Sequence, residues 1–408
     1  MEKLRNCLEE MVKFTLDSAA EFDLGLSGDF CSALLADDHV LPFPLADSGD
    51  RSIRVFPYEF SARLFRWVFW FDLSADSVVA GVPEYPLYKR LAFGLLRSIT
   101  SGSFRGSYEK IALMKEESWL KEKEEEFGKL IFEKGSELVN VMKDIEFELP
   151  VQEPFFSLMK DGLKTVEGTC FVADYDRLRP GSLVMLNKCL LFEVLKVHHY
   201  SSFYEMLKAE NPAKVFPGFT TAEEGMEIFG KFYKVDQEKS NSVVAIHVCK
   251  AAAQPCIILA KILSSLSYIG VQRFLGLSHT PGSILHALPP PRSSLFSSFM
   301  LLYKPKVKGC KLSHGARALA KHVDRSSDRF WGILHGSDSD KNRQAADILS
   351  RLVVDCCWMN IHVVQPHGQV FEIRVAEGYG ARWSRDGTNF IGFLEPYMDD
   401  GHSKGWKH

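Results

Sequence analysis

The apolar residues of this chain change their period at residue 146, and that change limits what the chain can fold into. Upstream the spacing is helical. Phe60, Leu64, Trp67, Val68 and Phe71 share one helix face, with Pro57 placed to open it. Residues 108–144 read as one or two long helices, and 121–126 as a solvated charged face. From Glu146 onward the segments are short and bounded by turn residues. Strands are expected at 146–149, 166–171, 182–186, 190–197 and 243–248, and short helices at 154–159, 203–209 and 223–233. Asn187 and Lys188 mark a tight hairpin between the third and fourth strands. Five or six short strands with two or three helices suit a small barrel.

A chain of 408 residues is too long for one ordinary core, so several domains are expected. Apolar residues at 46% and charged residues at 25% exclude a disordered or fibrous protein. The charge is uneven. Residues 1–145 hold 18 Lys and Arg against 25 Asp and Glu, whereas 251–408 hold 19 against 12 and 9 of the 13 histidines. A basic C-terminal part suggests an anionic partner, and an acidic helical N-terminal part suggests protein contacts. The mixture of Arg and aromatic residues at 54–71 has two readings, a base-stacking surface or a buried helix with extended arginines. Nine cysteines form no CxxC pair, which excludes a zinc ribbon and points to free thiols. No HExxH spacing is present, and no metal or cofactor is expected. The N-terminus lacks the pattern of a secretory signal, and no apolar run approaches the roughly 18 residues of a membrane span. Cytoplasm or nucleus is the expected location.

The sequence Gly162-Leu163-Lys164-Thr165-Val166-Glu167-Gly168-Thr169 carries the functional signal. Gly162 permits a tight turn, and Lys164 just after it can meet a phosphate or a base carbonyl. Glu167 and Thr169 lie two apart on a strand and share a face. This octet resembles the G-x-K-x-x-E-x-R signature of the ASCH domain, a relative of the PUA domain. The elements around it agree: an aromatic helix before it, a Pro-Gly turn into a hairpin, a Phe-Tyr-Glu-Met-Leu helix and a closing strand. The resemblance implies a PUA-like β-barrel over 146–250 with a cleft, and a role in RNA metabolism or as a coactivator module. RNA, single-stranded or as a nucleotide-like ligand, is the implied partner. Gly162, Lys164, Thr165, Glu167 and Thr169 are the implied contacts, with Tyr175 and Tyr200 as stacking faces. Thr169 stands where the family has Arg, which removes a planar donor from the strand.

Some small ASCH proteins resemble amidohydrolases that deacetylate N4-acetylcytidine. They use this Lys, a Thr three positions on, and a Glu on the helix before the last strand. Lys164 matches, position 167 is Glu, and Glu224 is near the third position but also completes a Thr221-x-x-Glu224 capping box. A hydrolase with Lys164, Glu167 and Glu224 is therefore the alternative expectation, and a protein-interaction scaffold the third.

The expected architecture is an α+β multidomain protein. It comprises a mostly helical domain at 1–145, the ASCH barrel at 146–250, a helical and loop-rich connector at 251–311, and a basic α+β domain at 312–408. In that last domain, helices are expected at 314–323 and 338–354, and strands at 357–364, 369–376 and 389–394. Arg382, Glu395, Asp399, His402 and His408 form a second candidate cluster, with Arg317, Lys321 and His322 as a basic helix face.

Overall fold

The computed structural model describes residues 1–38, 81–104, 118–170, 175, 177–232, 242–303, 311–323 and 329–396. The stretch at 54–71 lies outside them. The chain forms two compact units, each assembled from separated stretches. The first comprises Met1–Leu35, Leu91–Arg105 and Lys123–Val271, and the second Ala36–Arg90, Gly106–Glu122 and Gln272–His408. The expected connector at 251–311 is divided between them.

In the first unit, α1 (Glu2–Asp17) buries Leu4, Cys7, Leu8, Met11, Val12 and Leu16, the three-and-four spacing of one helix face. A long charged helix, α2 (Trp119–Lys143), leads into a five-stranded sheet. Its strands are β1 (Ile145–Leu149), β2 (Val166–Cys170), β3 (Leu183–Leu186), β4 (Leu190–Tyr200) and β5 (Val243–Lys250). Their spatial order is β1-β3-β4-β5-β2, with β1 parallel to β3 and the remaining pairs antiparallel. Asn187 and Lys188, at φ 45° and 59°, are the central residues of the turn in the three-residue loop between β3 and β4, closed by Cys189 N donating to Leu186 O. The Asn187 side chain bonds both Val151 N and Val151 O at 2.7 Å, tying the hairpin to the end of β1.

The sheet is not a closed barrel. Its edge strands β1 and β2 are five residues each, and among the described residues they do not pair. A bulge between Val194 and Lys196 curves the eleven-residue β4 without bringing the edges together. Between the strands lie α3 (Phe155–Lys160), α4 (Phe203–Ala209), α5 (Pro212–Val215) and α6 (Ala222–Phe232). One sheet face packs beneath them through Val166, Val243 and Ala245 against Phe203, Met206, Val215, Phe216 and Phe229. A Cβ at Gly168 would sit 2.7 Å from Met206 Cε and 3.0 Å from Phe229 Cζ, so a larger residue would make these side chains shift.

The next helix, α7 (Pro255–Leu275), is two helical stretches joined at Ser267 (φ 55°, ψ −168°). By length and composition it could cross a membrane, which corrects the expectation that no run is long enough; 61% of its apolar window is buried inside the protein.

The second unit contains α8 (Arg292–Met300), α9 (His314–His322) and α10 (Asp338–Asp355), followed by an antiparallel sheet. That sheet runs in chain order as β6 (Trp358–Val364), β7 (Gly368–Arg374), β8 (Gly380–Ser384) and β9 (Phe390–Leu394). Phe371, Ile373, Ala381, Trp383 and Phe393 share a core with Leu295, Phe299, Leu319 and Leu349 of the helices. Strand β8 was not expected from sequence. A Cβ at its first residue, Gly380, would meet Ile373 O at 2.0 Å, so the glycine serves close strand approach.

Candidate nucleic-acid interface

The octet folds as a helix end, a turn and a strand. Helix α3 ends at Lys160, and Gly162 turns with φ 74°. Nothing lies within 4 Å of a Cβ built at Gly162, so conformation, not space, requires the glycine. Leu163 N and Lys164 N both donate to Leu158 O, at 2.9 and 3.0 Å. The backbone then crosses between elements: Thr165 N donates to Lys214 O and Val248 N to Thr165 O.

This lacing drives Lys164 inward. Only 2% of the residue is exposed. Its Nζ donates to Val166 O and Val215 O, each at 2.7 Å, and lies 3.1 Å from Glu167 Oε2. Two carbonyls accept from the ammonium, and Glu167 pairs with it by charge without an aligned hydrogen bond. The rings of Phe155 and Phe216 flank it at 5.4 and 5.3 Å. Burial lowers the Lys164 pKa below the usual lysine value, against the upward pull of Glu167. Lys164 thus joins α3, α5 and β2 from inside, and does not project from the turn as the sequence suggested.

The other expected residues disperse. Glu167 stays beside Lys164, and Thr169 shares its strand face, with Oγ1 3.5 Å from Cys170 O. Tyr175 is half-buried, and its carbonyl accepts from Leu178 N. Glu224 is exposed and accepts from the N–H groups of Thr220 and Thr221 while Thr221 Oγ1 accepts from Glu224 N. It is a cap of α6, and these helix-end N–H groups hold its pKa low.

Tyr200 belongs to a group that sequence reasoning missed. Its hydroxyl donates to Glu210 Oε1 at 2.8 Å. His198 Nδ1 lies 2.8 Å from the same oxygen, and His247 Nε2 lies 2.9 Å from Glu210 Oε2. His198 and Tyr200 on β4 and His247 on β5 occupy the sheet face of Val166 and Ala245, because His198 pairs with Ala245 and Val166 with His247. Glu210 reaches them from the end of α4. Burial pushes the Glu210 carboxyl up, but His247, His198 and Tyr200 pull it down further, leaving it below the usual value. Burial and this carboxylate raise Tyr200 to about 12. The period-two spacing of His198 and Tyr200 was the available signal; Glu210, ten residues beyond Tyr200, gave none.

In the second unit, Arg382 donates to Glu372 Oε2 through Nε at 2.9 Å and Nη2 at 2.7 Å. Arg374 Nε donates to Glu372 Oε1 at 2.7 Å, and His362 Nε2 lies 3.3 Å from Oε2. The register explains the grouping: Glu372 pairs with Arg382 across β7–β8 and with Asn360 across β6–β7. Glu372 is 1% exposed; burial raises its pKa, but His362, Arg374 and Arg382 win and hold it at about 2. Glu395 takes other partners, His322 Nδ1 at 2.7 Å and Trp331 Nε1 at 3.0 Å. Arg382 and Glu395 therefore hold separate side-chain sites, and Arg374, whose Nη1 donates to Glu395 O, links them. Arg317 stacks on Tyr303 at 3.8 Å. Asp399, His402 and His408 lie outside the described residues.

With this geometry in view, comparison with known proteins places the first unit. Residues 149–251 match the family model of the ASCH domain. The chain is an ASCH-domain protein. Hypothetical protein PH0355 is 33% identical over 26% of this chain and 98% of its own, with a TM-score of 0.25. PF0455 from Pyrococcus furiosus is 32% identical over 27% of this chain and all of its own, with a TM-score of 0.24. The ASCH match takes in the octet, the His198–Glu210–His247 group and strands β2 to β5 of the open sheet. Residues 304–395 match a second family model, the CdiA C-terminal tRNase toxin domain, a stretch that includes Glu372 and its partners. No curated protein matches the chain.

Proposed function

We propose that this protein binds RNA and that the ASCH domain holds it. The observation that carries the reading is the ASCH match over 149–251, since a PUA-like fold is an RNA-binding fold. Lys164 is consumed internally, so phosphate contacts fall to exposed cations of the domain. Arg177, Arg179, Lys196 and Lys208 are all exposed. Such contacts position a strand without reading its bases and weaken as salt rises. The test is fluorescence anisotropy of the full chain with single-stranded and duplex RNA at two salt concentrations. Saturable, salt-sensitive binding weakened by Lys196→Glu supports the reading, and no binding at low salt refutes it. An acetylcytidine hydrolase has less support, because Glu224 caps a helix and Lys164 is held by two carbonyls and the Glu167 carboxylate.

A second reading is favoured by the Glu372 group. We infer that the C-terminal part acts on RNA. An RNA phosphodiester needs a base at the 2′-hydroxyl, an acid at the leaving oxygen and cations at the phosphate. Arg374 and Arg382 supply the cations and the half-buried His362 the proton-transfer group, while buried Glu372, paired with all three, holds them on one sheet face. The family name over this stretch points to tRNA as the first substrate to try. Cleavage of tRNA by the full chain, abolished in Glu372→Gln, supports this reading. Turnover that survives Glu372→Gln refutes it.

A further inference from the structure

We propose that His198, Glu210 and His247 form a binding site for a divalent transition-metal ion of the zinc class. Two imidazole nitrogens and a carboxylate converge from two strands and a helix end, and their ligand atoms all lie within 4.8 Å of one another. Among the described residues it is the one grouping of this kind. Two imidazoles disfavour calcium or magnesium, which prefer all-oxygen shells, and suit zinc, copper or nickel. Three protein ligands leave a coordination position open, the arrangement of zinc sites that carry water or substrate.

The fit is close. At zinc–ligand distances of about 2.0–2.1 Å, tetrahedral neighbours stand roughly 3.3 Å apart. The present separations of 2.8 Å (His198 Nδ1 to Glu210 Oε1) and 2.9 Å (His247 Nε2 to Glu210 Oε2) need widening by about 0.5 Å. The His198 side chain, 47% exposed, is free to move by that amount. A second observation points the same way. His247 Nε2 is buried and close to Glu210 Oε2, yet it is not aligned for a hydrogen bond with any group. Nε2 is thus available as a ligand in the tautomer that carries its proton on Nδ1. Tyr200 donates to the Glu210 oxygen nearest His198 and fixes the carboxylate, the usual task of an outer partner at a metal centre.

The test uses the untagged full-length chain, stripped with chelator and titrated with zinc chloride by calorimetry; cobalt(II) absorbance serves as a second readout. One zinc per chain is expected, with a visible cobalt spectrum on loading. His198→Ala and His247→Ala should each weaken binding by about tenfold or more. His199→Ala, one residue along and on the opposite strand face, should leave it unchanged. Because His198 is half exposed, its variant keeps the fold and decides the matter alone if His247→Ala unfolds. An absence of saturable one-to-one uptake overturns the proposal and leaves the group as an ordinary histidine–glutamate pair. Equal losses in His198→Ala and His199→Ala overturn it as well.

Discussion

Lys164→Met separates a structural lysine from a ligand-binding one. Methionine keeps the unbranched stem and most of the volume between Phe155 and Phe216 but removes every donor. Val166 O and Val215 O lose their 2.7 Å partner, and the Glu167 carboxylate, 12% exposed, loses its counter-ion. Breaking a buried pair by deleting one partner costs about 3–5 kcal/mol. With a urea dependence of roughly 2 kcal/mol per molar, the unfolding midpoint of this unit should fall by about 1.5–2.5 M. None of the seven tryptophans lies in 149–251, so fluorescence would report other parts of the chain. Hydrogen exchange of peptides from 149–251, followed against urea, is the suitable assay. Adding Glu167→Leu should recover part of the loss, because a buried pair replaced by apolar groups is often close to neutral. An unchanged midpoint together with weaker RNA binding would refute the reasoning and return Lys164 to the surface of a ligand site.

Acid should destabilise the second unit through Glu372. Its folded pKa of about 2 lies below the ordinary 4.5, so the contribution is complete above pH 4.5 and is lost as pH falls toward 2. About 3 kcal/mol is at stake, and the fluorescence melt of buried Trp331, Trp358 and Trp383 should show a smaller acid effect in Glu372→Gln. Gly315→Ala places a Cβ 2.1 Å from the Phe299 ring at the start of α9 and should cost about 1–3 kcal/mol in thermal unfolding. Burial pushes the Cys356 thiol up to about 12, so native alkylation should spare Cys356 and label exposed Cys249; mass spectrometry of the digest reads both.

Local structure was the legible part of the sequence. The strands near 146, 166, 183, 190 and 243 follow from period and turn chemistry, and Asn187-Lys188 took the left-handed conformations its position suggested. Long-range pairing was not legible. Whether β1 meets β2 depends on strand length and curvature, and the edges stayed apart. The site was half legible. Glu167 could be placed beside Lys164 from spacing, but the direction of Lys164 is set by Val215 O, fifty-one residues away. Glu372 was overlooked because a lone acid in Val-Phe-Glu-Ile-Arg looks solvent-facing until β6 and β8 flank it. The capping role of Glu224 was visible in advance because a capping box is local.

The division of each unit into separated stretches has a consequence for biosynthesis. Residues 1–35 are made before Lys123–Val271, which their unit also needs, so the first helices wait for their partners until that later stretch has been added. During that wait the apolar stripe of α1, from Leu4 to Leu16, faces solvent or a holding factor. A premature stop at 145 or 250 would leave both units unfinished, so truncated products should be cleared rather than accumulate as working fragments.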